Sequence, residues 1–174
     1  NVLDMGFDST GDDYFWIQPT SQTNFALTYN LALSPNGGDV GVGTATPSKK
    51  LDVNGTVRVL ASVEAAATSV NSGATYSIPD ISRNIRRITL NNNTTITLPS
   101  IATLGADNTF TMTVKLLQDG TGSRTVTWAG GGNTIKWDGG TAPTIAAGAN
   151  EETLIQFTAI GGSTTWYASM VWRE

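Results

Sequence analysis

The sequence contains neither histidine nor cysteine. Without an imidazole it lacks the side chain that most often moves protons near neutral pH. Without a thiol it can build no Cys-His nucleophile pair, thiolate zinc site or redox dithiol. Charge is scarce as well: 14% of residues are charged, against about 25% in ordinary soluble domains, and the net charge of -4 draws the chain towards neither nucleic acid nor an anionic membrane. No apolar run approaches the roughly 18 residues a membrane-spanning helix needs, and the amino terminus carries no charged-then-apolar signal pattern. Asn1 in place of a starting Met is expected of a piece cut from a longer chain.

What the sequence has in abundance is small and polar: Gly, Thr, Ser and Asn supply about two-fifths of the 174 residues. This is a composition for strands and turns, kept in solution by hydroxyl and amide groups rather than by charge. A chain of 18.3 kDa holds one ordinary domain, or a small one with an appendage, and would bury roughly 70% of its unfolded surface.

Up to about Val59 the apolar pieces, such as Tyr14 to Ile17 and Phe25 to Leu33, are short and interrupted by Pro and Gly. Too little apolar material is present to form a core there, so the segment is expected to borrow burial from neighbouring chains. Asn54-Gly55, between Leu51-Asp52-Val53 and Thr56-Val57, carries the strongest hairpin signal. Leu60 to Val70, free of Gly and Pro and rich in Ala, is the one helix candidate. It is short, a strand is the alternative, and it reads as a joint between two regions.

From Ser72 onwards, alternation with a period of two persists. Phe110, Met112, Val114 and Leu116 share one face; Ile88 and Leu90 lead through Asn91-Asn92-Asn93 to Ile96 and Leu98; Trp166, Ala168, Met170 and Trp172 share a face of the final strand. Seven to nine short strands with tight turns predict an antiparallel β-sandwich, jelly-roll-like, over residues 71–174.

The nucleotide and metal motifs fail on spacing. After Gly41-Val42-Gly43 the third glycine of a dinucleotide loop would fall at Thr46, and Gly130-Gly131-Gly132 runs into Asn133 without a Gly-Lys-Ser/Thr; the latter reads as a wide hairpin turn. Asp8, Asp12 and Asp13 lack the spacing and closing Glu of an EF-hand loop. Adjacent carboxylates in a strand, Asp12-Asp13 or Glu151-Glu152, point to opposite faces and cannot confront each other across a sugar. Arg83, Arg86 and Arg87 read as a solvated strand edge. No metal or cofactor is expected, and no catalytic residue.

Aromatic residues remain. Trp rings stack on sugars and donate hydrogen bonds from their edges, so Trp128, Trp137, Asp138, Trp166 and Tyr167 are the candidates for a saccharide-binding platform. The alternative is core: Trp128, Trp166 and Trp172 fall in the apolar phase of their strands. Trp137 stands beside the Asp138-Gly139-Gly140 turn, and Tyr167 lies in the phase opposite Trp166.

Residues 38–59, GDVGVGTATPSKKLDVNGTVRV, resemble the VGIGTxxPxxKLDVNG segment of tail fibres and tailspikes of tailed bacteriophages. TTITLPSIATLGADNTFTMTVKLLQDGTGSRTVTWAGG, IKWDGGTAPTI and TWYASMVW are similar to the small β-domain that ends many such proteins. The resemblance implies an all-β homotrimer: an intertwined, shaft-like segment over 1–59, a joint over 60–70, and a tip domain over 71–174. It further implies a non-enzymatic role at the virion's extracellular fibre tip, attached to upstream fibre proteins and binding a bacterial surface glycan or outer-envelope protein. Two alternatives stay open: a purely structural shaft and trimerisation clamp, or a glycan-degrading tailspike with a site between subunits. Neither the long repetitive β-helix of depolymerase tailspikes nor a self-cleaving chaperone after Glu174 is expected.

Overall fold

A computed structural model describes residues 2–7, 15–21, 23, 29–34 and 36–174. Asp8, Asp12 and Asp13, the acidic loop considered above, lie outside the described residues. The described residues are all-β, without a helix, and the chain divides into two compact units, residues 1–61 and 62–174.

In the first unit, β1 (Val2–Phe7) pairs antiparallel with β2 (Phe15–Thr20), and β3 (Val40–Val42) pairs parallel with β4 (Leu51–Val53). The hairpin expected at Asn54-Gly55 is absent. Strand β4 finds its partner upstream, and the Asn54 N–H donates to the Val42 carbonyl at 2.9 Å instead of opening a return strand. An ion pair between Lys50 and Asp39 (2.8 Å) ties the two strands at their other end. In this unit Ile17, Leu31, Leu33, Val42, Leu51, Val57 and Val59 are all exposed. The helix candidate forms no helix: residues 61–69 have no regular structure, and Leu60 and Val63 are 96% and 99% exposed. Too short to nucleate alone, the segment is given no apolar surface to lie on.

The second unit holds nine strands: β5 (Val70–Asn71), β6 (Thr75–Ser77), β7 (Ile85–Leu90), β8 (Thr94–Thr97), β9 (Thr109–Gln118), β10 (Val126–Ala129), β11 (Thr134–Trp137), β12 (Glu152–Ile160) and β13 (Thr165–Arg173). They form a six-stranded sheet in the order β11-β13-β12-β9-β7-β5 and a three-stranded sheet in the order β10-β8-β6. From β5 to β10 the chain changes sheet at every step, so each strand lies beside, and parallel to, the one two earlier. The antiparallel, jelly-roll-like pairing expected of the sandwich is thereby corrected. Asn91-Asn92-Asn93, and Asp119-Gly120 with Gly122, do turn the chain, but from one sheet to the other; crossing to the opposite sheet supplies the connection that parallel neighbours require. Gly130-Gly131-Gly132 likewise crosses from β10 to β11 and is no hairpin. Gly131 sits there at φ +60° against the Leu98 carbonyl, leaving no room for a Cβ. Within this unit antiparallel pairing is confined to β9-β12 and β12-β13.

Between the sheets lies one core, built from the inward phase of each strand: Ile88 and Leu90, Ile96 and Leu98, Met112, Val114 and Leu116, Ile155 and Phe157, Trp166 and Ala168. Buried Gln118 is fully engaged, donating to the Arg124 and Ala146 carbonyls (2.9 and 2.7 Å) and accepting from the Arg124 N–H (3.0 Å).

The final strand departs from its alternation. Ile155 pairs with Met170 and Leu154 with Trp172, leaving Val171 as an extra residue in a bulge. Its insertion reverses the phase, and Trp172 joins the outer face with Leu154, 43% exposed, instead of sharing the core with Trp166.

Arg86 also departs from the solvated strand edge expected of it. It occupies the inward phase of β7 and is buried, whereas Arg83 and Arg87 are exposed. Its guanidinium donates to the Asp80 carboxylate and to the Asp80 carbonyl, both at 2.7 Å. The Asp80 carboxylate also accepts from the Ser82 hydroxyl (2.5 Å) and N–H (2.9 Å), and these bonds, with Arg86 behind them, pull its pKa down to about 2. A carboxyl depressed in the folded state stabilises the fold at pH above its unfolded value near 3.8 and loses that contribution as pH falls towards 2. Asp80→Asn is therefore expected to flatten the acid limb of stability between about pH 4 and 2, read by denaturant melts at successive pH values; an unchanged limb would remove Asp80 as its cause.

Candidate functional site

Strand alternation gives the six-stranded sheet a second face, turned away from the core. In β11, Ile135 and Trp137 point inward, and Lys136 points out with Asp138 just beyond the strand. In β13, Trp166 and Ala168 point inward, and Tyr167 and Ser169 out; in β12, Gln156 and Thr158 point out. Register then brings them side by side. Lys136 lies opposite Tyr167, Tyr167 opposite Thr158, and Ser169 opposite Gln156. The Thr158 hydroxyl meets that of Thr111 on β9 at 3.3 Å.

Together these residues line an open groove of about 420 Å³ across β11, β13 and β12. An ammonium, a carboxylate, an amide, two hydroxyls and a phenol converge there, and Tyr167, 44% exposed, presents a ring beside them. Hydrogen-bonding groups around an accessible aromatic surface suit a polar ligand with an apolar side. Beneath the groove the sheet rests on packed rings, so its floor is fixed.

The five candidates from sequence separate into two groups. Asp138 and Tyr167 reach the groove. Trp137 contributes to its lining, but its ring packs inward, 5.6 Å from the ring of Phe157 and 5.9 Å from that of Trp128. Trp128, on β10 of the other sheet, lies 5.0 Å from Phe157. Trp166 is fully buried, its indole N–H donating to the Pro99 carbonyl at 3.3 Å. Trp128, Trp137 and Trp166 thus surround Phe157; this is the core role weighed above for Trp128 and Trp166, whereas Trp137 was placed beside a turn. Lys136, Gln156, Thr158 and Ser169 were missed; each stands in the polar phase of its strand, but their convergence depends on β11 pairing in parallel with β13, past the intervening β12, which alternation does not encode.

A family model described as "Putative phage tail fibre C-terminal domain" matches residues 76–164, half of the chain. The chain belongs to this tail fibre family. No curated protein and no solved structure matches it. The tail fibre domain so defined runs from within β6 to the turn before β13, and includes Lys136, Asp138, Gln156 and Thr158 of the groove; Tyr167 and Ser169 lie just past it. Membership gives the protein a part in the tail fibre, a place on the virion and an association with other tail components.

Proposed function

We propose that this tail fibre segment attaches the virion to its host, non-enzymatically and as a homotrimer at the fibre tip, by binding a bacterial surface glycan or outer-envelope protein in the groove around Tyr167. The observation that carries this reading is the convergence of Lys136, Asp138, Gln156, Thr158, Tyr167 and Ser169 on a rigid outer sheet face. Asp138 is the sole carboxylate lining the groove, whereas two-carboxylate glycoside hydrolysis needs a facing pair; this favours binding over cleavage. The trimer draws its support from the first unit and the joint, where Leu31, Leu33, Val42, Leu51, Val57, Val59, Leu60 and Val63 are all exposed. So many apolar side chains in water favour association with copies of the same segment.

Light scattering on this chain, paired with its binding to intact candidate host cells, tests both halves. The expected result is a mass of three chains and saturable binding. A single-chain mass would overturn the trimer; a trimer that binds no cell its phage infects would favour the purely structural clamp.

A further inference from the structure

The sequence has two Asn-Gly steps, Asn36-Gly37 and Asn54-Gly55, and the structure treats them differently. Glycine after asparagine leaves the main-chain nitrogen sterically open to the asparagine side chain. At Gly37 that N–H is engaged, donating to the Ser34 carbonyl at 3.1 Å. At Gly55 the N–H has no hydrogen-bond partner among the described residues, both Asn54 and Gly55 are exposed, and nothing lies within 4 Å of the place a Gly55 Cβ would occupy.

We propose that Asn54 is a site of spontaneous deamidation that unfastens β4 from β3. The Gly55 nitrogen, on giving its proton to hydroxide, bonds to Asn54 Cγ; the Cγ–Nδ2 bond breaks and ammonia leaves with a proton taken from water. Water then opens the five-membered imide at either carbonyl, giving aspartate or isoaspartate at position 54. The consequence follows from what Asn54 holds. Its Nδ2 donates to the Gly43 carbonyl at 3.2 Å, and its own N–H to the Val42 carbonyl at 2.9 Å. A carboxylate has no proton to donate and faces the Gly43 oxygen with its own charge. Isoaspartate also lengthens the main chain at the point where it closes on β3.

The test is incubation of the intact chain at mildly alkaline pH, followed by proteolysis and mass spectrometry, with urea-unfolded chain in parallel. In the folded chain Asn54 is expected to convert several-fold faster than Asn36, while in urea the two convert at similar rates. Gly55→Ala should slow conversion at Asn54 by tenfold or more and leave Asn36 unchanged. Folded-state conversion of Asn36 as fast as that of Asn54, or an Asn54 that stays intact while the unfolded chain converts, overturns the proposal.

Discussion

Phe157→Ala is expected to cost the second unit about 3–5 kcal/mol, the range for truncating a buried aromatic residue where the surroundings cannot collapse. Phe157 has no exposed surface, and its ring meets those of Trp128, Trp137 and Trp166 at centroid distances of 5.0, 5.6 and 6.3 Å, the last two edge-on. Edge-on aromatic pairs contribute about 0.5–1.5 kcal/mol each beyond area burial, so one substitution removes three contacts as well as the buried surface. The rings come from four strands in both sheets, which prevents any one of them from moving in to fill the void. For a domain of about 100 residues each kcal/mol moves the melting temperature by roughly 4–8 °C, which places the expected fall at about 12–40 °C. Tryptophan fluorescence during thermal unfolding reads it directly, since all three partners are indoles. A fall of only a few degrees would mean that the cluster does not hold the sheets together.

The inward residues of that cluster were legible in the sequence because a period of two needs no partner to be seen. Met112, Val114 and Leu116, or Ile155 and Phe157, are apolar at every second place, and each is buried. Pairing was not legible. Alternation states which face a side chain takes, but not whether the neighbouring strand runs parallel, and a turn such as Asn91-Asn92-Asn93 serves equally to reverse within a sheet or to cross between sheets. Trp172 shows the limit from another side: one extra residue at Val171 inverts the phase of everything after it, and a bulge costs the sequence no distinctive residue. Arg86 was misplaced because its charge outweighed its phase. It stands two residues before Ile88 and four before Leu90 on the inward face, and the Asp80 carboxylate makes that burial tolerable. In the groove, Tyr167 could be named as outward from its phase and Asp138 as part of a turn, whereas the inward aim of Trp137 follows from its pairing with Ala168, buried opposite it.

The separation of Tyr167 from the tryptophans makes it the cleaner probe of attachment. Trp137→Ala would remove a ring that supports Phe157, so a loss of adsorption in that variant would not distinguish a missing contact from a loosened fold. Tyr167→Ala takes away an exposed ring and leaves no buried void, and its effect on stability is expected to stay within about 0.5 kcal/mol. On binding, a contact of about 1.4 kcal/mol is worth tenfold per site. In the proposed trimer three such grooves engage one cell surface, and if all three bind at once the losses multiply towards a thousandfold, an upper limit that falls as fewer sites engage together. The expected outcome is therefore a variant of unchanged melting temperature and mass whose cell binding drops by two to three orders of magnitude in the trimer. A single groove held apart from its copies would lose only about tenfold by the same reasoning. Full adsorption by a correctly assembled Tyr167→Ala fibre would take the groove out of host recognition and leave the outer sheet face a structural surface.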